Sequence, residues 1–322
     1  MDGRVDGTCP HPVRVIGVSG LTFATMTLPP AWQVTPVAVA AVVVAAIHES
    51  GRALLARRQT KAHRRTTFHR ALAFYAGLLV LALIASGPVN RLSMAWFSIH
   101  MAGHVVEMFF VPILLVVGAP WVPMLHAVPI ERRRRILRAC YLGSSSSALA
   151  RLRWLITRPA TAVVLFNGTM VLWHIPRVYN WASWHGWPMD WCMVPMFVAS
   201  GYLFWRVVLP SHPWPPRGST KDQVGAIVIT AFVMLVTAIS LAVLSRTALY
   251  SMHVTMDGTA SALRDQRVAA GILWVCGDFW AIPALVLIAY RTFIRQDPAT
   301  DDVPGDDATT SEISGQTAPG VG

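Results

Sequence analysis

The sequence predicts an all-α fold: a polytopic membrane bundle of seven transmembrane helices, with the N-terminus outside and the C-terminus cytoplasmic. Three observations predict it. Of the 322 residues, 54% are hydrophobic and only 13% charged, where a soluble domain carries about a quarter charged residues. Seven apolar stretches approach the roughly 20 helical residues needed to cross a bilayer core of about 30 Å. Basic residues then crowd alternate connections between those stretches, as cytoplasmic loops do.

In chain order, residues 1–30 form an extracytoplasmic, interfacial arm. Its start, MDGRVDGTCPHP, has no basic region leading directly into an apolar core, so no cleaved signal peptide is expected. Val13–Leu28 is apolar, but Gly17, Gly20 and the Pro29-Pro30 stop favour an interfacial segment over a span. The seven spans run near Trp32–Ser50, Arg70–Ser86, Ser93–Val117, Pro159–Ile175, Trp191–Leu209, Val224–Leu244 and Val268–Tyr290, within a membrane domain of residues 31–295. The first is the weakest, because its apolar run ends at His48 and Glu49. Residues 118–158 make a basic cytoplasmic loop whose IERRRRILRAC segment suits anionic lipid headgroups. From residue 296 the chain is rich in Asp, Thr, Gly and Pro, the composition of a disordered cytoplasmic tail.

Charge fixes the orientation. The first connection carries Arg52, Arg57, Arg58, Lys61, Arg64, Arg65 and Arg70, and the third carries Arg132, Arg133, Arg134, Arg135, Arg138, Arg151, Arg153 and Arg158. Arg206, Arg217 and Lys221 follow the fifth span, and Arg291 and Arg295 the seventh. The opposite face keeps only Arg4, Arg14, Arg91, Arg177, Arg246, Arg264 and Arg267. The richer side is cytoplasmic by the positive-inside rule. The net charge of +11 therefore belongs to loops that flank spans, and no nucleic-acid partner is expected. Cys9, Cys140, Cys192 and Cys276 are scattered, with no C-x-x-C pair, so neither a disulfide framework nor a thiolate zinc site is indicated.

The donor side chains sort by face. His100 and His104 lie in SIHMAGHVVEMFFVPILLVVGAP, four residues apart and so on one face of a helix. Polar groups in such a helix are expensive and usually functional. Met101 and Met108 share that segment, and His174 in WHIP ends the fourth span one turn beyond Met170. His185, Met189 and Met193 follow before the fifth span, and Met252, His253, Met256 and Asp257 occupy the last outer loop. Imidazole with thioether suits a soft or borderline metal such as copper, whereas Mg²⁺ or Ca²⁺ would want carboxylates. Any one of these histidines also has a plainer reading as a partner in a helix–helix hydrogen bond, and each methionine one as core filler. The remaining histidines sit among cytoplasmic arginines or, for His11, in the outer arm. Glu107 and Asp278 fall near mid-span, where a charge is costly. Glu107 follows His104 by three residues and is placed to orient its imidazole. The alternative for both carboxylates is a protonated group bonded to a neighbouring helix, and Cys276 reads as a small packing residue.

These segments together resemble the CtaG-type cytochrome c oxidase assembly family of bacterial membranes. FSIHMAGHVV followed by PILLVVGAPWVP matches that family's H-M-x-x-H and P-x-L-L-x-x-G-x-P pattern. LWHIPRVYNWA matches W-H-x-P with a following tyrosine, FVASGYLFW sits near the end of the fifth span, and DQRVAAGILW matches D-Q followed by G-x-x-M-W. The resemblance implies a non-enzymatic, multi-pass protein of the bacterial plasma membrane that helps assemble a haem–copper oxidase through copper supply. It maps the family's histidines onto His100, His104 and His174, and its acidic turn onto Asp265 and Gln266. The family's H-x-x-x-H pair at the start of the fifth span is replaced here by WPMDWCMVPMF. Met189, Cys192 and Met193 stand there as softer ligands that shift preference toward Cu(I), or else this branch lacks that part of the site. Leu273 stands where a methionine is usual.

Three functions remain distinguishable at this level, beside a scaffold that binds no metal at all. The first is a copper-binding assembly factor that hands the ion to an oxidase subunit from an outward-facing site. The second is a redox protein holding haem b between His104 and His174, which haem iron accepts and which a Soret band would reveal. The third is a metal or small-solute transporter with Glu107 and Asp278 as its polar path.

Overall fold

A computed structural model describes residues 34–56, 61–138 and 148–296. The arm, the Val13–Leu28 segment, Cys9, Cys140 and the tail beyond residue 296 lie outside the described residues. Among those described, every regular element is a helix, and the nearest approach to a strand is one bridge between Ser211 and Trp214.

Among the described residues, six helices are long and apolar enough to cross a membrane: α1 (Pro36–Ala56), α2 (Lys61–Ala85), α4 (Phe97–Gly118), α10 (Met189–Val208), α11 (Thr220–Leu244) and α13 (Thr259–Gln296). Short helices join them: α3 (Pro88–Ala95), α5 (Trp121–Ala127), α6 (Ile130–Leu137), α7 (Ala148–Thr157), α9 (Pro176–His185) and α12 (Ser251–Asp257). The fourth expected span is a helix, α8 (Pro159–His174), but has only 16 residues, about 24 Å of rise. Proline sets both its ends. Pro159 opens it, and Pro176 forces the preceding Ile175 into extended backbone.

Two boundaries differ from expectation for local reasons. α1 continues past the expected end at Ser50 to Ala56, and neither His48 nor Glu49 is left unpaired within it. Arg52 donates two bonds of 2.7 Å to Glu49, and the Tyr75 hydroxyl donates a third at 2.6 Å. His48 Nδ1 in turn reaches the Tyr75 oxygen at 2.9 Å. The expected third span is split by Trp96, which is extended, so α3 and α4 are separate helices.

The helix carrying the histidine pair lies at the centre of the bundle. Of the α4 span 61% is buried in the bundle and of the α10 span 56%, against 22–33% for the other four. Below the histidines sits a continuous aromatic layer. Phe109 packs on Phe166 and Trp280, and Phe204 on Phe166 and Trp205, with ring centroids 4.5–5.6 Å apart. Phe109, Phe166 and Phe204 are fully buried, so this layer closes the bundle on the side of the site nearer the C-terminal end of α4.

Close approach of α4 and α10 depends on Gly201. A Cβ there would lie 2.4 Å from the Met108 carbonyl oxygen and 2.7 Å from Pro112 Cγ. Gly201→Ala is therefore expected to destabilise the bundle by about 1–3 kcal/mol through overpacking. Gly168→Ala, with nothing within 4 Å of the new atom, is the control. Equal thermal midpoints for the two variants in detergent would contradict this account of the packing.

Candidate functional site

The site begins with how α4 starts. Trp96 ends α3 in extended backbone and supplies no side-chain cap to α4. The cap comes instead from α13: the Asp265 carboxylate accepts from the Phe97 N–H and, at 3.3 Å, from the Ser98 N–H. A carboxylate at a helix N-terminus satisfies orphan donors and meets the positive end of the helix dipole. Gln266, 1% exposed, accepts from the Leu249 N–H at 2.8 Å and donates to the Leu241 carbonyl at 3.0 Å. The acidic turn is thus fully engaged in positioning: Asp265 fixes the helix that bears the histidines, and Gln266 ties the end of α11 to the loop before α12.

Asp265→Ala should cost about 0.5–2 kcal/mol, as for loss of an N-cap. Asp265→Asn, which keeps an acceptor, should cost less. Thermal unfolding of the two variants checks the order, and an unchanged Asp265→Ala midpoint would contradict the capping role.

One turn into α4, His100 and His104 point at each other, with their Nε2 atoms 2.7 Å apart. One ring must donate to the other at that distance. His104 Nδ1 lies 3.3 Å from a Glu107 oxygen, within hydrogen-bonding distance of it. Glu107 and Met108 occupy a π-helical turn, Val106–Phe110, a distortion common at functional sites.

The face of α4 beside that pair meets α8. His174 Nδ1 is 2.6 Å from the Met170 carbonyl oxygen. A carbonyl can only accept, so Nδ1 carries the proton and Nε2 of the neutral ring keeps its lone pair. That bare nitrogen faces Met101 Sδ at 3.3 Å, and a thioether has no proton to offer. A bare imidazole nitrogen and a thioether sulfur thus face each other inside the bundle.

The histidine pair opens into a cavity of about 140 Å³, also lined by Glu107, Tyr179, Ser183, Met189, Asp190, Met193, Met252 and His253. His253 is buried, with Nε2 3.1 Å from the Tyr179 hydroxyl and Nδ1 3.5 Å from the Ala95 carbonyl. Burial pushes the Tyr179 and Tyr250 hydroxyls well above their ordinary value. Both therefore stay neutral donors, Tyr179 toward His253 and Tyr250 toward the His174 carbonyl at 3.1 Å.

The expected donors divide into groups. His100, His104, Met189, Met193, Met252 and His253 share the cavity wall, and His174 pairs with Met101 just beside it. Met108 is buried in the core, and Cys192 packs against that core rather than lining the cavity. His185 bonds its own helix through the Trp181 carbonyl at 2.7 Å. The side chains of Met256 and Asp278 lie outside the described residues. Among the described residues, no group of three or more His, Cys, Asp or Glu is gathered to hold a metal ion. Two cavity residues, Asp190 and Tyr179, were not among the expected donors. Asp190, a carboxylate at the start of a span, carries the same signal that singled out Glu107. Tyr179 is the tyrosine that follows W-H-x-P.

Comparison with known proteins adds the family. The model of the cytochrome c oxidase caa3 assembly factor family matches residues 51–295. An uncharacterized protein of Mycobacterium bovis is 26% identical over 231 residues, covering 69% of this chain and 33% of that protein. One from Mycobacterium leprae is 24% identical over 250 residues, covering 72% and 36%. The chain thus spans about a third of the length of the curated relatives it matches. No solved structure matches it.

Proposed function

Because the chain belongs to the cytochrome c oxidase caa3 assembly factor family, and so is a multi-pass plasma-membrane assembly factor rather than an enzyme, we propose that it carries copper as cargo for the oxidase. In this reading Cu(I) binds on the extracytoplasmic side, at the His100–His104 pair and at His174 with Met101. It then passes by ligand exchange to an oxidase subunit whose copper centre faces outward.

The observation that carries the proposal is the His174–Met101 pair. A bare imidazole nitrogen and a thioether 3.3 Å apart have no proton between them, and a soft cation is what both would accept. The second pair must open to take an ion. Two nitrogens at about 2.0–2.1 Å from a metal stand about 3.3 Å apart on a tetrahedral ion and about 4 Å apart on a linear one, so the 2.7 Å separation of His100 and His104 has to widen by roughly 0.6–1.4 Å through side-chain rotation. Donors arranged in twos favour an ion content with low coordination, which Cu(I) is and Zn²⁺ is not.

Seven spans with the N-terminus outside complete the proposal, α8 serving as the short fourth crossing. The positive-inside rule then puts the cavity at the outer surface. Trp181, Trp184, Trp187 and Trp191 support that depth: the segment walling the cavity turns them outward, 49–64% exposed, as in an aromatic belt at a membrane boundary. The IERRRRIL helix α6 would rest on anionic lipid at the opposite face. The cavity volume of about 140 Å³ favours an ion over haem, since cofactor pockets run to about 300–1,000 Å³. The aromatic layer beneath the site disfavours a through-passage.

The test is direct. Full-length protein in detergent, dialysed against Cu(I) and separately against Zn²⁺, should retain copper in stoichiometric amount and zinc weakly. Failure to retain copper would end the proposal.

A further inference from the structure

On the opposite side of the bundle from the histidines, Arg70 of α2 and Arg291 of α13 face one groove of about 570 Å³. Its remaining walls are Val117, Leu209 and the turn from Pro210 to Pro215. Arg70 and His212 also line a smaller cavity of about 40 Å³ that runs inward to Thr67 and the buried His48. Among the described residues, no acidic side chain lines either space. The groove is therefore cationic on one side and apolar on the other.

Its level in the bundle is defined by the helices themselves. Arg70 lies near the start of the α2 span, Val117 at the end of α4, Leu209 just past α10 and Arg291 near the end of the α13 span. Four spans terminate at this height, which is where headgroups meet the hydrocarbon core. The turn that floors the groove is rigidly held. Arg206, 2% exposed, donates to the Leu209 carbonyl at 3.1 Å and to the Pro215 carbonyl at 3.3 Å, while Arg291 donates to the Val208 carbonyl at 3.4 Å.

We propose that this groove is a binding site for the headgroup of an anionic phospholipid. The phosphate sits between the Arg70 and Arg291 guanidiniums, its acyl chains running along Val117 and Leu209 into the bilayer. The size matches small-molecule pockets, and basic pockets between spans on the cytoplasmic side bind anionic headgroups. The site is separate from the arginine-rich α6 and independent of the copper proposal. A free phosphate would satisfy the same guanidiniums, but it would leave the apolar wall unused.

Full-length protein exchanged into mixed phosphatidylglycerol–phosphatidylcholine micelles should retain phosphatidylglycerol through native mass spectrometry. Retention should fall roughly fivefold for each arginine removed in Arg70→Gln plus Arg291→Gln. It should persist in Arg70→Lys plus Arg291→Lys, which guards against misfolding, and in Arg133→Gln on α6. Undiminished retention in the glutamine pair overturns the proposal. So does saturable binding of inorganic phosphate, seen by phosphorus NMR, that phosphatidylglycerol does not displace.

Discussion

His100→Ala combined with His104→Ala is expected to strip retained Cu(I) from the purified protein and to leave the host oxidase short of copper. The two Nε2 atoms converge on one point, so the double change removes one donor pair and leaves Glu107 without the imidazole beside it. Glu107 lies in the cavity beside Asp190 and can bond water there, so the bundle should still insert. Metal analysis of the oxidase, with an immunoblot for the variant, separates copper starvation from loss of the protein. Normal oxidase copper in cells that contain the inserted double variant would contradict the proposal.

Met101→Leu should lower Cu(I) affinity at the His174 pair by roughly tenfold or more, about 1.4 kcal/mol. Met101 is 1% exposed in the core, and leucine conserves its volume, so the fold should lose less than about 1.5 kcal/mol. What disappears is one soft donor facing His174. The loss should be selective: Cu(I) binding drops, while weak Zn²⁺ binding through imidazole is unchanged. A competition titration against a Cu(I) chelator checks the first, and a parallel zinc titration the second. Equal loss for both ions would show that the substitution acted through packing instead of ligation.

The sequence made the membrane helices legible because hydropathy and proline placement are local properties. Pro159 and Pro176 bounded α8 as expected, and the i, i+4 spacing put His100 and His104 together. What it could not display were bonds between distant segments. Asp265 caps α4 from 168 positions away, and nothing near either residue announces that contact. The Met101–His174 meeting is likewise a product of how α4 crosses α8, although both residues were among the expected donors. The first span, expected to end near Ser50, runs on to Ala56, and the apolar pattern gave no sign of the pairing of Glu49 with Arg52 and Tyr75. Met108 and Cys192 carried the same chemical signal as Met193, yet the π-helical turns that hold them turned only some of those side chains toward the cavity.

X-ray absorption at the copper edge, on full-length protein loaded with Cu(I), tests the central claim most directly. The account predicts nitrogen and sulfur scatterers in the shell around the ion, with the sulfur signal lost in Met101→Leu. A shell of nitrogen and oxygen alone, identical in the two proteins, would contradict it.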